Sequence, residues 1–111
     1  MKTILEDYLG SDEAMPKIRI RTHPGAVLRE EFLTPLGMSA NALAQAIGVP
    51  SNRVSDIIRE RRGMTADTAL RLERYFGVKA ETWLGLQADH DLSKALAENG
   101  DYSKIAPRSA A

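Results

Sequence analysis

The chain has no cysteine among its 111 residues. That removes disulfides and thiolate metal sites together and fits a reducing compartment. Aromatic residues make up only 5%, so a core has to be built mainly from aliphatic side chains. Charge of one sign is missing as well: 15 basic and 15 acidic residues cancel, and bulk charge therefore does not mark a nucleic-acid binder. No apolar run approaches the ~20 residues of a membrane helix, and no charged-then-apolar N-terminus marks a secretory signal. The expectation is a cytoplasmic protein with no membrane partner. Two histidines, His23 and His90, and the lack of a glycine-rich phosphate loop leave little for catalysis. Asp89-His90-Asp91 has ligand-type side chains, but successive helical residues diverge by about 100° and cannot close on one ion. No catalytic residue, metal or cofactor is expected.

What is present is patterned. Residues 1–14 set Lys2 against Glu6, Asp7, Asp12 and Glu13, whereas residues 15–23 carry Lys17, Arg19 and Arg21 with no acid. A second basic stretch holds Arg53, Arg59, Arg61 and Arg62 against only Asp56 and Glu60. For phosphate binding, such local patches matter more than the total.

The length supports one domain with a modest core, and the apolar periodicity predicts an all-α chain of five helices over residues 23–98. A leader (1–22) and a frayed tail (99–111) flank it. Within the leader, Ile4 to Leu9 suits a helical turn and Lys17 to Arg21 alternates like a short strand. Helix one opens at Thr22-His-Pro-Gly25, where proline loses nothing at the first position. Its apolar stripe is Val27, Leu28 and Phe32, and Pro35 then Gly37 end it. Helix two is capped by Ser39 and closed by Gly48. Helix three is expected from Pro50 or Ser51 to Glu60, stopping near Gly63. Helix four starts after Thr65, with Asp67 favouring its dipole, and runs through Leu70, Leu72 and Phe76 to Gly77. Helix five spans Ala80 to Glu98.

Residues 39–60 carry the strongest functional signal. Two helices crossing through a tight turn need a small residue at their close approach and a glycine where the chain bends. Ala44 and Gly48 meet these needs, and Leu43, Ile47, Val49, Val54 and Ile57 fill the wedge between the helices. This is the helix-turn-helix pattern. At about 100° per residue, Val54, Ile57 and Ile58 define the buried side of helix three. Asn52, Asp56 and Arg59 lie opposite, flanked by Arg53 and Ser55, with Ser51 at the start. Such a face suits base edges in a major groove. Asn52 suits adenine, and Arg53 or Arg59 suits guanine or phosphate. Asp56 either accepts from cytosine or restrains Arg59. Ser39, Asn41, Arg61 and Arg62 are the candidate phosphate contacts.

Several blocks in order resemble the HigA-type antitoxins, the addiction-module antidote or virulence-associated protein I family. They are Thr22-His-Pro-Gly25, Leu28-Arg-Glu-Glu-Phe-Leu33, Pro35-Leu-Gly37, Ala44-Gln-Ala-Ile-Gly-Val-Pro50, Asn52-Arg53, Thr65-Ala-Asp-Thr-Ala-Leu-Arg-Leu72, Tyr75-Phe-Gly77 and Trp83-Leu-Gly-Leu-Gln-Ala-Asp89. The resemblance covers roughly residues 20–95. It implies a lambda-repressor-like, dimeric helix-turn-helix protein that represses its own operon at the operator. It also implies a partner toxin of the HigB type, a small basic ribonuclease that cuts mRNA. Ala26 departs from an acid common in the family, and Ala40 from a glutamine that often helps to hold phosphate.

Operator half-sites lie one helical turn apart, so two recognition helices must be held roughly 34 Å from each other. A homodimer through Leu92, Ala95 and Leu96 is the natural expectation, while Trp83 and Leu86 are expected in the core. For the leader, three uses stay open: an acidic arm on a basic toxin, a basic arm on DNA phosphate, or a solvated tail. A stand-alone repressor without a toxin is the alternative function, and an adaptor that has lost DNA binding is the third.

Overall fold

The computed structural model describes residues 19–109. The helical turn expected at Ile4 to Leu9 and the acidic leader lie outside these residues. So does Lys17; of the alternating stretch, Arg19 to Arg21 lies outside any strand. It docks on the last helix instead. The Arg21 N–H donates to Ser93 Oγ at 2.7 Å. The Arg21 carbonyl, which can only accept, lies 2.7 Å from His90 Nδ1, so that nitrogen carries the proton.

Helix α1 is one continuous rod over 24–36, built from an α-helical turn Pro24–Val27, a π-helical stretch Leu28–Leu33 and a closing turn Thr34–Leu36. Its cap is a histidine: His23 Nδ1 accepts the Gly25 N–H at 2.9 Å. The widened coil has a local cause. Pro35 lacks an N–H, and in a regular helix its ring would press on the Glu31 carbonyl. The Thr34 N–H, one residue earlier, reaches back five residues to the Arg29 carbonyl. The expected stop at Pro35 is thus corrected. Pro35 belongs to the last turn, and the helix ends on Gly37 at φ 62°.

Helices α2 (Ala40–Ile47), α3 (Ser51–Ile58), α4 (Ala66–Phe76) and α5 (Ala80–Asn99) follow. Ser39 Oγ accepts the Ala42 N–H at 3.0 Å and Thr65 Oγ1 accepts the Thr68 N–H at 3.4 Å, so two caps fall where side-chain chemistry places them. The tail is not wholly irregular. Asp101 caps a single 3₁₀ turn at Tyr102–Lys104, all of it exposed.

The core joins all five helices: Leu28 and Leu33 of α1, Leu43, Ala44 and Ile47 of α2, Val54 and Ile57 of α3, Ala69 and Leu72 of α4, Ala80 and Trp83 of α5, with Met64 between. Phe32 stacks between Phe76 and Trp83 at centroid distances of 4.8 and 5.4 Å. Leu86 is partly buried against this cluster. Leu70 of α4 is 59% exposed. The reason is rotational: Leu70 and Leu72 lie about 200° apart, and Leu72 with Ala69 takes the inner face. No helix among the described residues is long and apolar enough to cross a membrane.

Candidate nucleic-acid interface

The corner between α2 and α3 is made as the residues demand. Gly48 takes φ 73° at the end of α2, a left-handed conformation that a side chain would penalise. The Gly48 and Val49 N–H groups fold back on the carbonyls of Gln45 and Ala44 at 3.3 and 3.0 Å, the paired closure of a Schellman motif. Leu43, Ala44, Ile47, Val54 and Ile57 are buried, and Val49 and Ile58 pack on them. The wedge is complete.

Helix α3 ends earlier than the sequence suggests, at Ile58 rather than Glu60. The Arg61 N–H returns to the Asp56 carbonyl at 2.8 Å, and the Glu60 N–H to Ile57 at 2.9 Å. This second Schellman closure puts Glu60, not a glycine, at φ 62°. Gly63 lies beyond the stop.

Four residues outside the two helices hold this corner, and none was singled out for that role from sequence. Arg71 of α4 donates through Nη1 to the carbonyls of Ile47 at 2.8 Å and Gly48 at 3.3 Å. Arg29 of α1 donates through Nη1 to the Ile58 carbonyl. Both arginines serve carbonyls that a helix end leaves without an intrahelical partner. Gly25 lets α1 meet the end of α3 backbone to backbone: a Cβ there would lie 1.8 Å from the Ile57 carbonyl oxygen. Asp67, expected only to favour the dipole of α4, accepts through Oδ2 from Arg53 at 2.5 Å and Arg71 at 3.0 Å. Hydrogen bonds from Arg53 and then Arg71 hold its carboxyl below the ordinary carboxylate range. The general signal for the two arginines was available, since every helix C-terminus needs donors. Their identity depends on contacts across the fold.

The outward face of α3 is largely as expected. Ser51, Asn52 and Arg59 are exposed, while Arg53, Ser55 and Asp56 are half-buried. Ser55 Oγ donates to the Asn52 carbonyl at 3.3 Å. Arg59 lies just past the last helical residue. Asp56 does not restrain it: the Asp56 carboxylate faces Arg61 at 3.2 Å and Arg62 at 3.7 Å. The early Schellman stop brings those two side chains back over the helix end. Arg61 and Arg62 remain exposed, as do Ser39 and Asn41 at the start of α2. Pro50 occupies the cap position of α3 and provides no side-chain bond. The first N–H groups of α3 therefore suit an anionic acceptor such as phosphate. Ala40 is half-buried against the core. On α5, Leu92 is 53% exposed, and Ala95 and Leu96 beside it are half-buried.

Known proteins resemble this chain along most of its length. The helix-turn-helix family model matches residues 28–83. Virulence-associated protein I of Dichelobacter nodosus is 52% identical over 87 residues, 78% of this chain and 81% of that protein. The Pseudomonas aeruginosa antitoxin HigA, solved with the higBA promoter, is 44% identical with a TM-score of 0.75, covering 82% of this chain and all of that one. The antitoxin GraA in complex with its operator is 42% identical with a TM-score of 0.78, covering 89% and 100%. Agreement in sequence and in architecture leads to one assignment: the chain belongs to the helix-turn-helix family that includes virulence-associated protein I and the HigA antitoxins.

Proposed function

We propose that this chain is the antitoxin and autorepressor of a type II toxin–antitoxin module. As a homodimer it binds the operator DNA of its own operon, and it neutralises a HigB-type mRNA-cleaving toxin. The observation that carries this reading is the braced α2–α3 corner, which turns a polar face outward in a chain whose relatives were solved with promoter or operator DNA. Ser51, Asn52, Arg53, Ser55, Asp56 and Arg59 face base edges, and Ser39, Asn41, Arg61 and Arg62 face phosphates. Residues 23–98 are the working unit. Leu92, Ala95 and Leu96 of α5 recur at helical spacing on one side and pair the protomers. The protein acts by binding, not by catalysis, and it does so in the cytoplasm.

The test measures affinity for the DNA upstream of its own gene and for scrambled DNA across a salt series. Tighter binding to the upstream DNA with a steep salt dependence supports the reading; equal, weak binding to both overturns it. Co-expression with the neighbouring reading frame tests the second half. Relief of growth arrest together with co-purification supports a toxin partner, whereas a harmless neighbour that does not co-purify leaves a stand-alone repressor.

A further inference from the structure

We infer that Asp67, which lies on α4 and outside the helix-turn-helix, sets the DNA preference of α3 by fixing the Arg53 guanidinium in one place. The inference rests on the reading above and concerns a positioning residue, since Asp67 itself meets no base.

Three observations carry it. First, Arg53 is the third residue of α3, in the first turn, the part of a recognition helix that reaches base edges. Second, its Nη1 is held by Asp67 Oδ2 at 2.5 Å, and its side chain is 30% exposed against 57% for Asp67. Asp67 is thus the more exposed partner of the pair. Third, Asp67 is itself fixed. Arg71 Nε donates to the same oxygen at 3.0 Å, while Arg71 Nη1 is bonded to the carbonyls at the end of α2. Thr65 caps the same turn of α4, and the dipole of that helix favours an acid there. The three side chains form a relay from the end of α2 through α4 to the first turn of α3.

An exposed ion pair is ordinarily worth little for stability, so stability does not explain the arrangement. Its effect lies in orientation. An arginine free to swing pairs with whichever phosphate is nearest, on any DNA. An arginine held at one point serves only the sequence that presents an acceptor there. Asp67 also adds a negative charge beside a surface facing phosphates, which weakens binding to all DNA alike. Only the fixed orientation raises the ratio of operator affinity to general DNA affinity; the added charge lowers both together.

The experiment compares wild type, Asp67→Asn, Arg53→Ala and the double variant for affinity to upstream and scrambled DNA across a salt series. The helical signal and melting temperature are recorded for each. The expected result for Asp67→Asn is tighter binding to scrambled DNA, a steeper salt slope and an operator preference reduced about tenfold, with melting little changed. In the Arg53→Ala background, adding Asp67→Asn leaves the preference where it was. A purely structural role for Asp67 would instead weaken both affinities together with melting, and that outcome overturns the inference. So does an Asp67→Asn protein with unchanged preference, or an effect of equal size without Arg53. A wild type with no preference for its upstream DNA overturns the reading beneath it, which separates the two failures.

Discussion

Gly25 and Ile57 are in backbone contact: the first turn of α1 lies so close to the end of α3 that any Cβ on Gly25 would fall 1.8 Å from the Ile57 carbonyl oxygen. No side-chain rotation relieves a clash with backbone, so Gly25→Ala forces α1 and α3 apart. The expected cost is about 3 kcal/mol, the upper end of the range for overpacking, read from urea unfolding. Operator affinity falls with it, because α3 is displaced relative to the rest of the fold. A variant as stable as wild type would show that the two helices slide freely.

Glu60 offers the opposite test. It holds a left-handed conformation, which costs an ordinary residue roughly 1–2 kcal/mol and a glycine almost nothing. Its pairing with Arg29, at 3.8 Å with both side chains more than a third exposed, offsets little of that. Part of the gain is returned, because glycine loses more freedom on folding. Glu60→Gly should stabilise the protein by about 1 kcal/mol, seen as a higher denaturation midpoint with an unchanged slope.

Acid should loosen the start of α1. His23 caps the helix only while its Nδ1 is unprotonated, and burial, then the neighbouring His90, pushes its pKa below the usual 6.5. The unfolded chain therefore takes up this proton at higher pH than the folded chain does. This contribution is complete above about pH 6.5 and is lost as pH falls through the lower folded value. His23→Asn keeps an acceptor at the cap and removes the titration. Melting temperatures between pH 7 and pH 5 should fall less steeply for the variant than for wild type.

Base and phosphate contacts separate by the way their loss spreads over sequences. Asn52→Ala should cost about 1–3 kcal/mol at particular operator positions and relax preference there. Arg61→Ala should weaken all DNA alike and lower the salt slope by about one. Titrations against a panel of single-base operator variants distinguish the two patterns. A uniform loss for Asn52→Ala would move that residue to the backbone set.

What the sequence discloses is local, and what it hides is distant. Ser39, Thr65, Gly48 and Gly77 act on their own turns, so caps and stops at those places follow from side-chain chemistry alone. Leu43, Ile47, Val54 and Ile57 follow from helical spacing. The stop at Glu60 did not, because an acid in a left-handed conformation is tolerated only when the surrounding fold imposes it. The π-helical stretch depends on how Pro35 is accommodated, and spacing rules assume a regular coil. Asp67 is fourteen residues from Arg53, and Arg71 is twenty-four from Ile47; chemistry identifies them as charged and capable, and only the tertiary arrangement pairs them. The outward face of α3 was legible as a set of residues, whereas the bracing that aims it was not.

That bracing separates two jobs which a short helix would otherwise have to combine. Arg29, Arg71 and Gly25 keep the corner rigid from behind, so the exposed positions Asn52 and Arg59 carry no share of that task. On the proposed reading, exchanging them redirects the protein to a different stretch of DNA without loosening its frame. A lineage can then change its target site while inheriting its scaffold intact.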